Sequence, residues 1–406
     1  MKQSNQDIKV LYFVPEPMPT YRADVAVLFG KYLPREGVRA DLVGRQGQGE
    51  VTQQGFASVT VPGQGRGRLW REAAYVWHCL RSILGAKRGQ YAMVQVRDMV
   101  GIGALALILA RIKGIRFAYW MSFLMNEGRI GRARAEIAKG GGLRYRLVLL
   151  KGLIEVFLLD RFVLPNADHV FVQSEAMRDL IAGRGVAREK MTPVPMGVDC
   201  ESLQGAAITP TRLPGWQGLP VIGYLGTLDR SREMERVVDM LALVRRTVPA
   251  CRLLLIGDSP TPSDLDDLRA YARQQGQEEA VHITGWMAAA QAWPLLAACD
   301  LAVSYIPRGD LFDISSPTKP LEYLALAMPC VGNDTPDQVL VLQGSQAGWL
   351  CASSVEAMAQ AMLEILHDPQ AARARAAHGP AWVQAQRSYA VLARQLAAAY
   401  QQLSRN

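Results

Sequence analysis

Short runs of apolar and β-branched residues alternate along the chain with longer stretches in which apolar residues recur every three or four positions. Ile8–Val14 reads as a first strand, and Asp24–Leu33 as a helix closed by Pro34 and Gly37. Further strands are expected at Ala40–Gly44, Ala57–Val61, Tyr91–Arg97, Arg116–Trp120, His169–Gln173 and Met191–Pro195. Helical patterns at Leu69–Leu84, Gly101–Ile112, Leu147–Leu164 and Glu175–Ala182 separate most of them. Strands spaced by helices predict a parallel sheet covered on both faces.

Cys200–Pro220 interrupts this rhythm with prolines, glycines and little periodicity, and reads as a linker. The alternation then restarts. Strands are expected at Val221–Leu225, Arg252–Ile256, Val281–Thr284 and Leu301–Tyr305. Helices are expected at Glu233–Arg246, at Asp264–Gln274 with Ser263 as its cap, and at Ala288–Ala298. Ser353–Glu356 has capping-box spacing before a helix to about His367, and a last helix runs from Tyr389 to about Leu403. The fold class is therefore α/β, with two Rossmann-like doubly wound domains. The expected boundaries are 1–204 and 205–380, with 381–406 returning to the first domain. Ligands of such sheets bind at the carboxyl ends of the strands, so a central cleft between the halves is the expected active site.

Composition agrees with two globular cores: 406 residues, 50% hydrophobic and 20% charged. Charge adds a feature that the pattern does not show. Residues 1–199 hold 29 Lys and Arg against 17 Asp and Glu, whereas the rest is net acidic, although the whole chain is +8. The basic half suggests an anionic partner such as a membrane surface or phosphorylated lipid, or else a solvated basic face. The six cysteines form no CxxC pair and read as buried free thiols of a reducing compartment. Met1–Lys9 lacks the apolar core of a signal peptide, and the uncharged run Met99–Ala110 is too short to span a bilayer. A cytoplasmic protein is expected, peripheral at most on the inner face of the membrane.

Ser315-Ser316-Pro317-Thr318-Lys319-Pro320-Leu321-Glu322-Tyr323-Leu324 carries the clearest chemistry. Pro320 must lie in the first turn of a helix, with Ser316 or Thr318 able to cap it. Lys319 in that turn opposes the helix dipole unless an anion is present, and a diphosphate would be such an anion. Glu322, three residues on, shares its face and can accept hydrogen bonds from vicinal ribose hydroxyls. Upstream, Tyr224–Arg232 follows a strand and precedes a helix. Gly226 permits close backbone approach there, and Arg230 and Arg232 can reach a phosphate.

Together these segments resemble the donor domain of family 4 glycosyltransferases, which have the GT-B fold. The resemblance covers nearly the whole chain and is strongest over 221–340. It implies that Gly226, Thr227, Arg230 and Arg232 grip the donor pyrophosphate, with Lys319 on phosphate and Glu322 on ribose. It further implies that Gly257 and Asp258 end a donor-side strand, that Trp286 and Met287 border the base, and that Ser316, Pro317 and Thr318 lead into the site. Pro195-Met196-Gly197-Val198-Asp199 is similar to the family's interdomain segment. Arg232 and Lys319 are then the catalytic candidates. The sequence departs from the family in two places: Ile314 stands where many members have a glutamate, with Asp310 and Asp313 nearby, and Thr227 stands where many have arginine.

In the first half, Arg22 and Asp24, Arg97 and Asp98, and Trp120 with Glu127 follow strands and are expected on the acceptor side. The stretch Pro19–Asp24 lacks the glycines that relatives carry. Gly101-x-Gly103-x-x-Ala106 imitates a dinucleotide fingerprint but follows a later strand, and reads as tight helix packing. Asp264-x-Asp266 imitates a metal pair but sits in a helical pattern. Arg129–Arg161 interleaves basic and apolar residues, which fits a helix lying on an anionic bilayer or a buried helix with a basic flank.

The resemblance implies retaining transfer from a nucleotide-diphosphate sugar to a glycan or polyprenyl-diphosphate-linked acceptor, in bacterial surface polysaccharide synthesis. No metal, other cofactor or nucleic acid is expected. The rivals are a nucleotide-sugar epimerase of the same fold and a catalytically degenerate membrane-surface scaffold.

Overall fold

The computed structural model describes residues 7–53, 55–63 and 67–405. Met1–Gln6, part of the polar N-terminal stretch, therefore lie outside the described residues. The chain divides into two compact units, Met1–Met196 with Tyr389–Asn406, and Gly197–Ser388.

The first unit holds β1 (Ile8–Met18), β2 (Val38–Gln46), β3 (Ser58–Thr60), β4 (Met93–Arg97), β5 (Arg116–Met121), β6 (His169–Val172) and β7 (Met191–Pro193). They form one sheet in the order β3-β2-β1-β4-β5-β6-β7, and all of its paired strands are parallel. Strands buried on both faces read as continuous apolar runs, which is why Val10–Val14 and Phe117–Met121 were legible. The fingerprint-like Gly103 is a packing residue: a Cβ there would stand 2.9 Å from the Tyr119 ring. The Tyr389–Arg405 helix places Leu392, Leu396 and Tyr400 against Phe29, Leu33 and Phe171.

The second unit holds β8 (Val221–Leu225), β9 (Arg252–Ile256), β10 (Val281–Ile283), β11 (Leu301–Ser304), β12 (Cys330–Asn333) and β13 (Trp349–Cys351). Their order is β10-β9-β8-β11-β12-β13, again with every pair parallel.

Several details differ from the sequence reading. The division falls at 196/197 and 388/389 rather than at 204 and 380, because Val198, Cys200 and Leu203 pack into the second core. Cys200–Gly205 is a short helix capped by Asp199, not linker. Pro262 opens the Pro262–Gln274 helix with Thr261 before it, so Ser263 is inside the first turn and caps nothing. The helix at Val355–His367 is capped by Ser354, whose side chain accepts from the Ala357 N–H. Strands β12 and β13 were not assigned from the sequence, and the Met125–Ala138 helix only as part of the basic and apolar Arg129–Arg161 stretch.

Gln95 is fully buried in β4, and its Oε1 accepts from the Tyr400 hydroxyl at 2.6 Å, across 305 residues of sequence. Tyr400→Phe should leave that amide oxygen unsatisfied and destabilise the first unit by about 1–3 kcal/mol. Urea unfolding followed by circular dichroism should show the lowered midpoint.

Candidate functional site

In the second unit the strand order changes direction at β8. β9 and β10 lie to one side, and β11, β12 and β13 to the other. Doubly wound sheets bind ligands outside the carboxyl ends of the strands at such a point. Here the Gly226 loop leaves β8, and the chain leaving β11 leads into the Lys319–Ala325 helix. Gly226 has φ 151° and Gly257, at the end of β9, has φ 156°, a region that side-chain-bearing residues rarely adopt. A Cβ on Gly257 would stand 1.9 Å from the Gly226 carbonyl oxygen, and one on Gly226 would stand 2.6 Å from Lys319 Cε. Two backbones and the Lys319 side chain therefore meet closely, with the Tyr224 hydroxyl beside Gly226.

Lys319 is the first helical residue and Pro320 the second, as the proline requires. The helix has only seven residues, so its dipole contributes little. Thr318 occupies the cap position without a side-chain cap bond. The Lys319 ammonium lies 5.1 Å from the centre of the Tyr224 ring. Burial, aided by the neighbouring Arg232 charge, pushes the Lys319 amine down to about 7. Burial pushes the Glu322 carboxyl up to about 7. Among the described residues neither side chain has a hydrogen-bond or ion-pair partner within bonding distance. A half-desolvated amine and a half-desolvated carboxyl on one helix face are groups that a bound anion and hydroxyls would complete.

The loop around them is tied down from several sides. The Tyr323 hydroxyl accepts from the Leu225 N–H at 3.0 Å and donates to the Val303 carbonyl at 3.3 Å, joining the ends of β8 and β11. The Tyr224 hydroxyl donates to the Thr227 carbonyl at 3.0 Å, and the Leu228 N–H donates to the Asp258 carbonyl at 2.9 Å. Asp264 accepts from the Arg230 N–H at 3.3 Å and from Ser259 at 2.7 Å, so this acid of the Asp264-x-Asp266 pair anchors the loop. Thr227 and Arg230 are exposed. Arg232 is half-buried, with its guanidinium 5.1 Å from the centre of the Phe312 ring. Gly285 pairs with Gly257, which places exposed Trp286 and half-buried Met287 just beyond.

Three donor-side expectations need correction or refinement. Ser316 is buried, and its hydroxyl donates to Asp337 at 2.7 Å. Asp337 in turn pairs with Arg387 at 2.6 Å. Ser316 thus fixes the chain ahead of Pro317 and Thr318 and is not open to a donor. Ile314 is 5% exposed and belongs to the interior. Asp313 is held by Arg308 through contacts of 2.8 and 3.1 Å, whereas Asp310 is exposed.

In the first unit the strand order changes direction between β1 and β4, where a buried charge cluster lies. Arg97 is 0% exposed and pairs with Asp24 at 2.7 Å, Glu16 at 3.0 Å and Asp98 at 3.5 Å. Exposed Arg22 stands 3.5 Å from Asp24. Burial raises the Glu16 and Asp98 carboxyls. Burial would raise Asp24 too, but Arg97 and Arg22 hold it below its ordinary value. Asp98 has φ 51°, and accepts from the Ser122 N–H at 2.8 Å and from the Ser122 hydroxyl. A non-glycine residue in that region costs about 1–3 kcal/mol, and its surroundings must hold it there. Glu16 was missed in the sequence, because it follows a proline in an apolar run and only the fold brings it to Arg97.

Two acceptor-side candidates are elsewhere. Trp120 is 1% exposed and packs among Tyr12, Phe29 and Phe171 in the hydrophobic core, so it cannot meet a ligand. Glu127 accepts from Arg184 at 2.8 Å, and Arg184 also pairs with Asp160. His169 bonds Thr192 at 2.8 Å and is held neutral by burial at about 4, a structural residue. A hollow of about 820 Å³ lies near the ends of β1 and β2, lined by Thr20, Tyr21, Arg45, Gln46 and Arg71 among others.

Residues 24–197 match the model described as glycosyl transferase 4-like domain, and residues 219–368 match that described as glycosyl transferases group 1. A lipopolysaccharide 1,6-galactosyltransferase from Salmonella typhimurium is 26% identical over 168 residues, which are 41% of this chain and 43% of that one. The match thus spans less than half of that relative's length. Anabaena HepE, solved with UDP and glucose, superposes with a TM-score of 0.68 at 17% identity, covering 97% of this chain and 99% of its own. WaaG, a glycosyltransferase involved in lipopolysaccharide biosynthesis, gives a TM-score of 0.65 at 13% identity, covering 96% and 99%. At such identity the structural likeness speaks for the fold, and two parallel-sheet α/β units match GT-B. With both domain models matched in order, the chain belongs to the family 4-type glycosyltransferases of the GT-B fold.

Proposed function

We propose that this glycosyltransferase moves a sugar, with retention at the anomeric carbon and without a metal, from a nucleoside-diphosphate donor to a glycan or polyprenyl-diphosphate-linked acceptor. Bacterial surface polysaccharide synthesis at the cytoplasmic face of the membrane is the setting we assign. One observation carries the reading: a half-desolvated Lys319, with no hydrogen-bond or ion-pair partner among the described residues, laid against Gly226 at the point where the second sheet changes direction. The family resemblance and the bound UDP of Anabaena HepE support a uridine diphosphate donor as the first to try.

In this reading Lys319 and Arg232 take up the negative charge that grows on the diphosphate as the bond from the anomeric carbon to its phosphate oxygen breaks. Gly226 and Gly257 let the backbone approach the diphosphate. Thr227 and Arg230 flank it, Glu322 accepts from the ribose hydroxyls, and Trp286 and Met287 border the base. The acceptor oxygen bonds to the anomeric carbon from the face the diphosphate leaves, and its proton passes to the departing phosphate oxygen. No side-chain base is required. Two cations at one diphosphate supply the charge that a divalent ion supplies elsewhere. The exposed Arg22 and the Asp98–Ser122 pair are the acceptor-side groups we favour. The hollow lined by Arg45, Gln46 and Arg71 is roomy enough for an acceptor sugar.

Glu322→Ala should weaken binding of UDP, or of whichever nucleoside diphosphate binds, by about tenfold to a hundredfold while the melting temperature stays near that of the parent. That is the loss of hydrogen bonds to a charged acceptor, about 1.5–3 kcal/mol. Calorimetric titration measures it, and equal affinity would remove Glu322 from the site.

A bound diphosphate needs Lys319 charged, whereas the free amine loses its proton at about 7. Above that pH, binding should take up one proton, and affinity should fall about tenfold per pH unit. Lys319→Arg, which stays charged, should flatten this limb. Calorimetry in buffers of differing ionisation enthalpy reads the proton directly.

Transfer should continue in excess EDTA, and the product should keep the donor's anomeric configuration by NMR. Activity lost to EDTA and restored by magnesium or manganese would refute the metal-free assignment.

A further inference from the structure

Three neighbouring helices of the first unit turn apolar side chains to solvent. In the Arg68–Gly85 helix, Tyr75, Cys79 and Ile83 face inward. Trp70, Trp77 and Leu84 recur at seven-residue spacing on the opposite side, and Trp77 is 64% exposed. In the Val100–Lys113 helix the outward positions are Leu105, Ile108 and Ile112, the last 75% exposed. The Leu143–Leu158 helix is the extreme case, because Gly152 is its one buried residue. A Cβ on Gly152 would stand 2.7 Å from Ile130, so the glycine seats this helix tightly on the Met125–Ala138 helix. Opposite Gly152 on the helical wheel lie Leu143, Leu147, Leu150, Ile154 and Phe157, all exposed, Phe157 by 68%. The Val100–Lys113 helix packs against both of the other two, so the three stripes are adjacent.

An apolar face of this extent marks a binding surface. Its charges say which kind. Arg81 sits within the outward stripe of the Arg68–Gly85 helix, while Arg146 on one side and Arg144 and Lys151 on the other flank the stripe of the Leu143–Leu158 helix. Arg132 and Arg134 are exposed on the Met125–Ala138 helix beside it. Among the described residues Arg81, Arg132, Arg134, Arg144 and Arg146 make no ion pair. The acids in the Leu143–Leu158 and Arg68–Gly85 helices are taken: Glu155 by Arg129 and Lys151, Glu72 by Arg45. A second copy of this chain would set the same cations against each other. Outward tryptophans, an apolar stripe and unpaired basic flanks suit the headgroup layer of an anionic bilayer. No helix among the described residues is long and apolar enough to cross a membrane, so the contact is interfacial.

We infer that these three helices together form a lipid-docking face for anionic bilayers, with Trp70 and Trp77 inserted at the interface and the arginines on headgroup phosphates. The face is wider than the Arg129–Arg161 stretch that the sequence singled out, because two of its three stripes come from helices whose outward positions only the fold reveals. The inference rests on this surface and stands apart from the donor reading.

The full chain should float with phosphatidylcholine–phosphatidylglycerol vesicles at low salt, be released largely by high salt, and ignore phosphatidylcholine alone. Brominated lipid should quench its tryptophan fluorescence. Trp70→Ser with Trp77→Ser should lose most of that quench, whereas Trp286→Ser should keep it. Changing Arg132, Arg134, Arg144 and Arg146 to Glu should lower vesicle affinity by on the order of a hundredfold or more. All of these variants but Trp286→Ser should bind UDP as the parent does, which shows them folded and keeps this test separate from that of the donor site. Absence of flotation at low salt would overturn the proposal. So would light scattering that shows a dimer broken by Trp77→Ser, since a second copy would then be the occupant.

Discussion

Backbone against backbone, Gly257 meets Gly226 at a distance that leaves no room for a Cβ, and the proposed donor site is built outward from that contact. Because the loop after β8 lies flat on the end of β9, the side of Gly226 that faces the Lys319–Ala325 helix is bare. The Lys319 stem rests there over the Tyr224 ring. The Tyr323 hydroxyl then holds the ends of β8 and β11 in one register, and Asp264 holds the loop's far end. Each tie is a modest hydrogen bond. Their joint effect is to spend the loop's freedom before any ligand arrives, so that a diphosphate meets a surface already arranged.

The two units treat charge in opposite ways at equivalent places. In the first, Arg97 is enclosed by Asp24, Glu16 and Asp98, so its charge is met within the fold. In the second, Lys319 and Arg232 are like charges near each other, with Asp229 3.9 Å from Arg232 and, among the described residues, no carboxylate at bonding distance from Lys319. The first arrangement stabilises a switch point of the sheet. The second holds an unmet demand for negative charge, which a diphosphate would meet.

What was legible in the sequence is what is local. Strand and helix periods depend on neighbours a few residues away, and the Gly226 loop and the Lys319-Pro320-x-Glu322 run are contiguous. Residue types there have few alternative uses. The misreadings of site residues involve distant partners. Trp120 ends a strand as an acceptor residue would, but Phe29 and Phe171 close over it. Ser316 stands at a plausible cap, but Asp337 and Arg387 claim its hydroxyl and fix its place. Glu127 was free in the sequence and is held by Arg184 in the fold. Glu16 had no visible partner until β1 and β4 were paired. Strands β12 and β13 were missed although β3, β7 and β10 are no longer and were read, so length is not the reason.

The residue at 314 bears on how a donor sugar is gripped. The family resemblance implies glutamate there in many members, and a carboxylate at a position only 5% exposed must find partners or stay protonated. Isoleucine removes that demand and fills the space with hydrocarbon. The neighbouring acids do not step in equally. Asp313 is engaged by Arg308, which also pairs with Asp334 at 3.1 Å, so the pair ties the loop to the chain leaving β12. Asp310 is exposed and near Gly309, whose φ of 137° lets the chain turn sharply there. Of the three positions 310, 313 and 314, the last is apolar, Asp313 is held by Arg308, and Asp310 keeps its carboxylate in solvent. In the proposed donor site, hydroxyls of a sugar at this end would then meet a loop carboxylate or backbone groups rather than a buried glutamate.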